Sequence, residues 1–283
     1  MRLEVLKNPR AVARRAAEEI ARVLRRKGRR RLVLASGKTM VPVYAELVRL
    51  HWRGRAPFRG AETFNLDELL LPSDHPRSFR AFMERHLFSR VGLPAENVQF
   101  LRGDAADLEA ECRHYERQLA RARPDIALVG IGANGHLAYL EPGSSLAPVT
   151  ARVCLSPSTR RDLAAQGIRP APREALTMGI ETILSAREIV LAATGRRKAA
   201  AVARALKGRV TPSCPASFLT LHGSLSVFLD SAAASSLEIR DPKFLRRNVP
   251  SRRRGGPSSG RSNGRDFAGA PRPPASGRPS DRC

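Results

Sequence analysis

The chain has 283 residues, 50 Lys and Arg against 26 Asp and Glu, a formal net charge of +24 at pH 7 and 42% hydrophobic residues. That apolar share excludes a fully disordered chain, 21 glycines are too few for a collagen repeat, and no apolar run approaches the roughly 20 residues of a membrane-spanning helix. Four cysteines, Cys112, Cys154, Cys214 and Cys283, show no C-x-x-C spacing, so neither a zinc ribbon nor a disulfide scaffold is indicated and no metal is expected.

Residues 1–7 alternate like a strand, with Leu3 and Val5 set against Arg2 and Glu4. No export signal is evident there, and with unpaired cysteines this predicts a cytoplasmic protein with no membrane partner. Residues 11–24 place Ala13, Ala16, Ala17, Ile20 and Val23 on one helical stripe. Residues 31–35 (RLVLA) form a short buried strand, run into Ser36-Gly37-Lys38-Thr39, and lead to a helix over 43–51. A strand over 62–66 ends at Asp67-Glu68. A helix covers 78–87, a strand 97–101, and a helix 104–122 with Asp104 as its N-cap. Residues 125–131 (DIALVGI) read as a strand buried on both faces, followed by a Gly-rich turn over 132–136. A strand over 188–193, a helix over 196–206 and a strand over 224–229 complete the pattern.

Strands alternating with helices predict a three-layer α/β/α fold around a Rossmann-like, mostly parallel sheet. One domain covers residues 1–241, and residues 242–283 form a disordered basic tail rich in Arg, Pro, Gly and Ser. From residue 245 onward there are ten Arg and two acids, with Phe267 the sole aromatic. Charge alone gives non-specific affinity, so nucleic acid is not expected as a partner of this tail, and arginine-rich composition is the simpler account. The charge of the body suits a small anionic, phosphorylated substrate.

In open α/β sheets ligands bind beyond the carboxyl ends of the strands, so the loops 36–39, 65–68 and 132–136 are the places to search. The stretch SGKT, leaving a strand for a helix, offers backbone N–H groups to an anion, with Gly37 allowing close approach and Ser36 and Thr39 adding hydroxyls. It is not a nucleotide P-loop, because Leu32 stands where that motif needs its first glycine. A plain strand–helix turn is the alternative. Asp67 can serve as a general base, or as a surface acid. In GIGANGHLAYLEPGSS (130–145), His136 titrates near neutrality and Glu141 lies close enough in sequence to orient it; a capping histidine is the alternative.

Taken together, SGKT with Tyr44, TFNLDELL (63–70), HPRSFRAFM (75–83), GDAADLEAECRHYE (103–116), GIGANGHLAYLEPGSSLAP (130–148), EALTMGIETIL (174–184), ATGRRKAAAVARAL (193–206) and CPASFLTLH (214–222) resemble the glucosamine-6-phosphate deaminase/isomerase family, which is related to 6-phosphogluconolactonases. The resemblance spans roughly residues 1–237. It implies conversion of an amino-sugar phosphate to fructose 6-phosphate and ammonia with no cofactor. His136 would open the ring with Glu141 and Asn134 supporting it, and Asp67 would carry the proton between C2 and C1. Ser36, Gly37, Lys38, Thr39 and Lys198 would hold the phosphate. A lactone hydrolase of the 6-phosphogluconolactonase type and a non-catalytic sugar-phosphate-binding protein are the alternatives. Lys38 and Leu140 depart from the family pattern, and the arginine it implies in a lid segment falls, ungapped, near Ala165, with Arg160, Arg161 and Arg169 as nearby substitutes. Members occur as monomers and larger rings, so the resemblance leaves room for a homo-oligomer.

Overall fold

The computed structural model describes residues 1–144 and 146–237. The expected boundary at residue 241 and the tail 242–283 lie outside the described residues. Strand β1 (Arg2–Leu6) leads to helix α1 (Pro9–Leu24), which starts on Asn8, whose side chain accepts from the Ala11 amide at 2.9 Å, with proline as the first helical residue. The alanine-rich stripe is buried throughout, and α1 lies against the sheet beside α2 (Val41–Trp52). Between them runs β2 (Arg30–Leu34), and α2 is followed by β3 (Ala61–Asn65).

A second sheet begins at β4 (Asp67–Leu69), a three-residue strand that the sequence reading did not contain. After it come α3 (Phe79–Met83), a π-helical turn over Glu84–Phe88, α4 (Ser89–Val91) and the short edge strand β5 (Val98–Gln99). The predicted cap at Asp104 is not observed. Helix α5 (Leu108–Ala120) starts on Asp107, which accepts from Ala110 N at 2.8 Å, while Asp104 accepts from the amide and hydroxyl of Ser73. The cause is crowding: a Cβ on Gly103 would lie 2.0 Å from the Leu69 carbonyl oxygen, so the chain is pinned to β4 before it is free to coil.

The remaining elements are β6 (Ile126–Val129), β7 (Ala151–Cys154), α6 (Pro157–Ala165), β8 (Glu174–Thr177), α7 (Ile180–Leu184), β9 (Ile189–Ala193), α8 (Ala199–Lys207) and β10 (Leu225–Asp230). The seven-stranded sheet runs β1-β10-β9-β6-β2-β3-β5 with every pairing parallel, and helices flank it in three α/β/α layers. Strands β3, β6 and β9 are buried at every position, as expected for strands covered on both faces. β4, β8 and β7 form a separate antiparallel sheet, in which Asp67 pairs with Thr177.

Strands β2 and β6 are neighbours, yet the chain leaves β2 toward β3 and leaves β6 toward β9, in opposite directions. That divergence opens a crevice beyond their carboxyl ends. Among the described residues no helix is long and apolar enough to cross a membrane. Cys112 and Cys214 are free and buried, as expected.

Candidate active site

A cleft of about 640 Å³ fills the crevice. Its floor is made by the loops that follow β2, β3, β6 and β9, and α6 with the chain after it forms one wall. Asp67, His136, Ser36, Gly37, Lys38, Thr39 and Lys198 all line it, so the acid and the imidazole share one cavity. Asn134 and Glu141 do not line it and stand behind His136.

The loop expected to hold phosphate owes its shape to local structure. Gly37 has φ +118°, in the region that favours glycine, which turns the chain from β2 into the N-terminus of the twelve-residue α2. The Tyr44 hydroxyl donates to the Ala35 carbonyl and ties the end of β2 to α2. Ser36 Oγ accepts from Asn65 Nδ2 at 3.1 Å, and Thr39 Oγ1 accepts from Lys198 Nζ at 3.0 Å. Lys198 ends a 3₁₀ turn, Arg196–Lys198, whose entry is anchored by Gly195 N donating to the Asp230 carboxylate at 3.0 and 3.2 Å. Burial pulls the Lys198 ammonium down to about 8, against an opposing pull from Asp230. The cleft thus holds a half-buried cation that, among the described residues, has a hydroxyl but no carboxylate hydrogen-bonded to it, a poised partner for an anion.

Asp67 opens β4 and is buried. Burial, with the charge of Glu68 adding to it, pushes its carboxyl up to about 8. Glu68 points the other way, accepting from the amides of Leu69 at 2.9 Å, Phe79 at 2.8 Å and Arg80 at 2.9 Å, and so fixes the start of α3. Burial outweighs these bonds and holds Glu68 at about 7. Phe79 stacks on Tyr139 with centroids 6.0 Å apart, and both rings line the cleft. The Tyr139 hydroxyl is pushed up by burial and by the charges of Asp67, Glu68 and Glu141.

The histidine is held by its own turn. Its backbone N donates to Asn134 Oδ1 at 3.0 Å, Asn134 Nδ2 donates to Glu141 Oε2 at 3.0 Å, and Glu141 Oε1 accepts from Ser156 Oγ at 3.1 Å. Nδ1 of His136 lies 3.8 Å from Glu141 Oε2 and has no hydrogen-bond partner among the described residues, leaving Nε2 as the nitrogen turned away from that acid. Burial lowers the imidazole below its ordinary value, against an opposing pull from Glu141, so it stands neutral and able to accept a proton. Gly132 is part of the same device, since a Cβ there would lie 2.3–2.5 Å from the ring of His136.

The departures noted in the sequence now have places. Leu140 is 1% exposed and belongs to the core rather than the cleft. Lys38 is exposed at the rim. On α6 and the chain after it, the side facing the cleft carries Thr159, Asp162, Leu163, Ala165, Gln166 and Ile168, and none of Arg160, Arg161 and Arg169 lines it. The further cations there are Arg196 and Arg197, which the sequence reading missed although they stand in the quoted GRRK, and Arg197 Nη2 lies 3.8 Å from Asp162 Oδ1. Phe79 and Tyr139 were missed as well, because no local pattern separates a ring on a cleft from a ring in a core.

A parallel α/β sheet thus carries an aspartate and a histidine in one cleft at its switch point, beside a strand-to-helix turn. The chain belongs to the family described as glucosamine-6-phosphate isomerases/6-phosphogluconolactonase, which matches residues 7–227. Glucosamine-6-phosphate deaminase 1 of Giardia intestinalis is 44% identical over 227 residues, covering 78% of this chain and 85% of that protein. The glucosamine-6-phosphate deaminase of Thermoanaerobacter sp. (strain X514) is 36% identical over 249 residues, covering 87% and 98%. Among solved structures, a monomeric glucosamine-6-phosphate deaminase matches with a TM-score of 0.80 and 37% identity over 83% of this chain and all of that one. A 6-phosphogluconolactonase from Leishmania guyanensis matches with a TM-score of 0.69 at 23% identity, covering 83% of this chain and 98% of that one, and shares the fold.

Proposed function

We propose that the protein is a glucosamine-6-phosphate deaminase, releasing fructose 6-phosphate and ammonia. The observation that carries this is the shared cleft of Asp67 and His136 beside an anion-binding loop, in a chain 36–44% identical to curated deaminases. The phosphate sits on the backbone amides of 37–39 and the N-terminus of α2, with Lys198 as counter-charge. His136 takes the proton from the C1 hydroxyl and returns it to the ring oxygen, opening the pyranose, while Glu141 stabilises the imidazolium that forms in between. Asp67, in its ionised form, removes the C2 proton while the C1 carbonyl oxygen takes up a proton given up by the 2-ammonium group, forming an enolamine, and Asp67 then delivers its proton to C1. The double bond shifts from C1–O toward C2–N, and water adds to the resulting ketimine, expelling ammonia and leaving the C2 ketone. Each step balances without a cofactor.

The lactonase alternative is weaker, because it gives no task to Asp67 at C2, and 6-phosphogluconolactonase structures share the fold at only 23% identity. The unit that carries the activity is the predicted domain 1–241, and a phosphorylated metabolite as substrate agrees with a cytosolic enzyme. The test is direct. Purified protein is given glucosamine 6-phosphate and, separately, 6-phosphogluconolactone. Stoichiometric ammonia and fructose 6-phosphate from the first support the proposal; fast opening of the lactone with no ammonia from the amino sugar reverses it.

A further inference from the structure

The sheet has two ends, and the cleft occupies only one. At the amino-terminal end the turns entering β3, β2, β6, β9 and β10 lie side by side. Arg30 N donates to Gly60 O at 2.9 Å, Asp125 N to Arg31 O at 2.8 Å, Arg187 N to Pro124 O at 2.8 Å and Ile189 N to Ser224 O at 3.0 Å. At a strand spacing of about 4.8 Å, five adjacent strands give a strip roughly 19 Å long. Two of these turns are heavily cationic: residues 25–30 read RRKGRR and residues 53–59 read RGRAPFR, with no acid in either. Arg25 Nη1 donates to the Arg55 carbonyl at 2.8 Å and joins the two turns.

Part of this charge is neutralised in place. Arg26 pairs with Glu188, Arg30 lies 3.4 Å from Asp125, and Arg29 lies 3.9 Å from Glu62. Lys27, Arg53, Arg55 and Arg59 are exposed and have no carboxylate partner among the described residues. Further along the strip, Arg123 and Arg187 line a hollow with His222. Amid these cations stands Trp52, the only tryptophan of the chain, 75% exposed at the end of α2, its ring edge-on to His51 at 5.6 Å. Cations after α1 and α2 do compensate the negative ends of those helices. That compensation leaves the indole held in water unexplained.

We propose that this face binds single-stranded nucleic acid, with phosphates on Lys27, Arg53, Arg55 and Arg59 and a base stacked on Trp52. Guanidinium and ammonium groups free of carboxylates take up phosphates by releasing counter-ions, and one flat aromatic surface gives a sequence-tolerant platform for a base. Adsorption to a lipid surface would instead call for an apolar face around the indole, and here Ala56 and Phe58 are buried, leaving arginines beside it. The proposal departs from the sequence expectation, which weighed only residues 242–283; this strip comes from turns that only the folded sheet brings together.

The sole tryptophan supplies the readout. The full-length protein is titrated with oligothymidylate and oligouridylate at several salt concentrations, following indole emission and, in parallel, anisotropy of the labelled oligonucleotide. The same titrations are run on Trp52→Leu and on a triple variant, Arg53→Ser, Arg55→Ser and Arg59→Ser, each checked for wild-type circular dichroism. The expected result is saturable quenching by either oligonucleotide, with affinity falling linearly in logarithmic salt. Trp52→Leu weakens anisotropy-detected binding about tenfold, and the triple variant lowers the salt slope by about 2, at about 0.7 per phosphate contact. Binding with unchanged indole emission and full affinity in the triple variant overturns the proposal by placing the strand elsewhere on the chain. Equal quenching by polyglutamate overturns the base-stacking part. Binding to anionic vesicles with none to either oligonucleotide overturns it in favour of a lipid surface.

Discussion

Asp67 is protonated in the free protein at neutral pH, because burial next to Glu68 holds its carboxyl at about 8, yet the chemistry needs it ionised. In the proposed reading Lys198 must be charged to hold phosphate, and it loses its proton at about the same value. The profile of kcat/KM, which reports the free enzyme, is therefore expected to be a narrow bell centred near pH 8. Lys198→Arg keeps its charge at high pH, and the alkaline limb is expected to move upward while the acid limb stays; both are read from a pH series of initial rates. The same residue carries a stability cost. A carboxyl raised from 3.8 to about 8 leaves the fold fully stable below the unfolded value and progressively weaker as pH rises through the folded one. Asp67→Asn is thus expected to stabilise the ligand-free protein at pH 8, on the order of 1–3 kcal/mol, and to have little effect near pH 4, as measured by denaturant unfolding at the two pH values. Asp67 and His136 were singled out in the sequence by loops that follow strands and, above all, by the family resemblance of the stretches around them, since Asp67 alone reads equally as a surface acid. The level of the Asp67 carboxyl was not legible there, since it depends on which chains cover it.

Two small elements decide where the catalytic groups stand. The antiparallel trio β4-β8-β7 positions Asp67, and three-residue strands of this kind leave no periodic trace in a sequence; their pairing is imposed by distant segments. Glu68 links that sheet to α3 through the two backbone amides of Phe79 and Arg80. Glu68→Gln keeps only one acceptor oxygen for the amides of Leu69, Phe79 and Arg80 and removes the negative charge beside Asp67, so the acid limb of the kcat/KM profile is expected to shift to lower pH and the melting temperature to fall modestly for the lost hydrogen bond. An unmoved limb would separate Glu68 from the tuning of the base. In the histidine turn, Gly132 gives way to the imidazole. Gly132→Ala forces the ring aside, and a fall of about 100-fold or more in turnover is expected with unchanged circular dichroism. The motif G-x-x-G-H made this turn conspicuous in the sequence; that Gly132 serves the side chain of His136 as well as the bend became visible only in the packing. Helix α5 illustrates the converse. Asp104 satisfied every local rule for a cap, and the pinning of Gly103 on β4 overrode them.

At the scale of the molecule, the parallel order of the main sheet followed from buried apolar runs separated by amphipathic helices. The switch between β2 and β6 did not, because strand order is set by long-range contacts. The switch gathers Lys38, Arg196, Arg197 and Lys198 at one opening, so capture of an anionic sugar should be steered by charge, and kcat/KM is expected to fall as ionic strength rises, less steeply in an Arg196→Ser, Arg197→Ser double variant. The central claim is that one carboxylate and one imidazole act on the same phosphosugar. Its most direct test compares the wild type with Asp67→Asn, measuring turnover of glucosamine 6-phosphate alongside calorimetric binding of fructose 6-phosphate. The account predicts a loss of at least about 100-fold in turnover with binding within threefold of the wild type (about 0.7 kcal/mol). Turnover within tenfold of the wild type in a variant that still binds would contradict it.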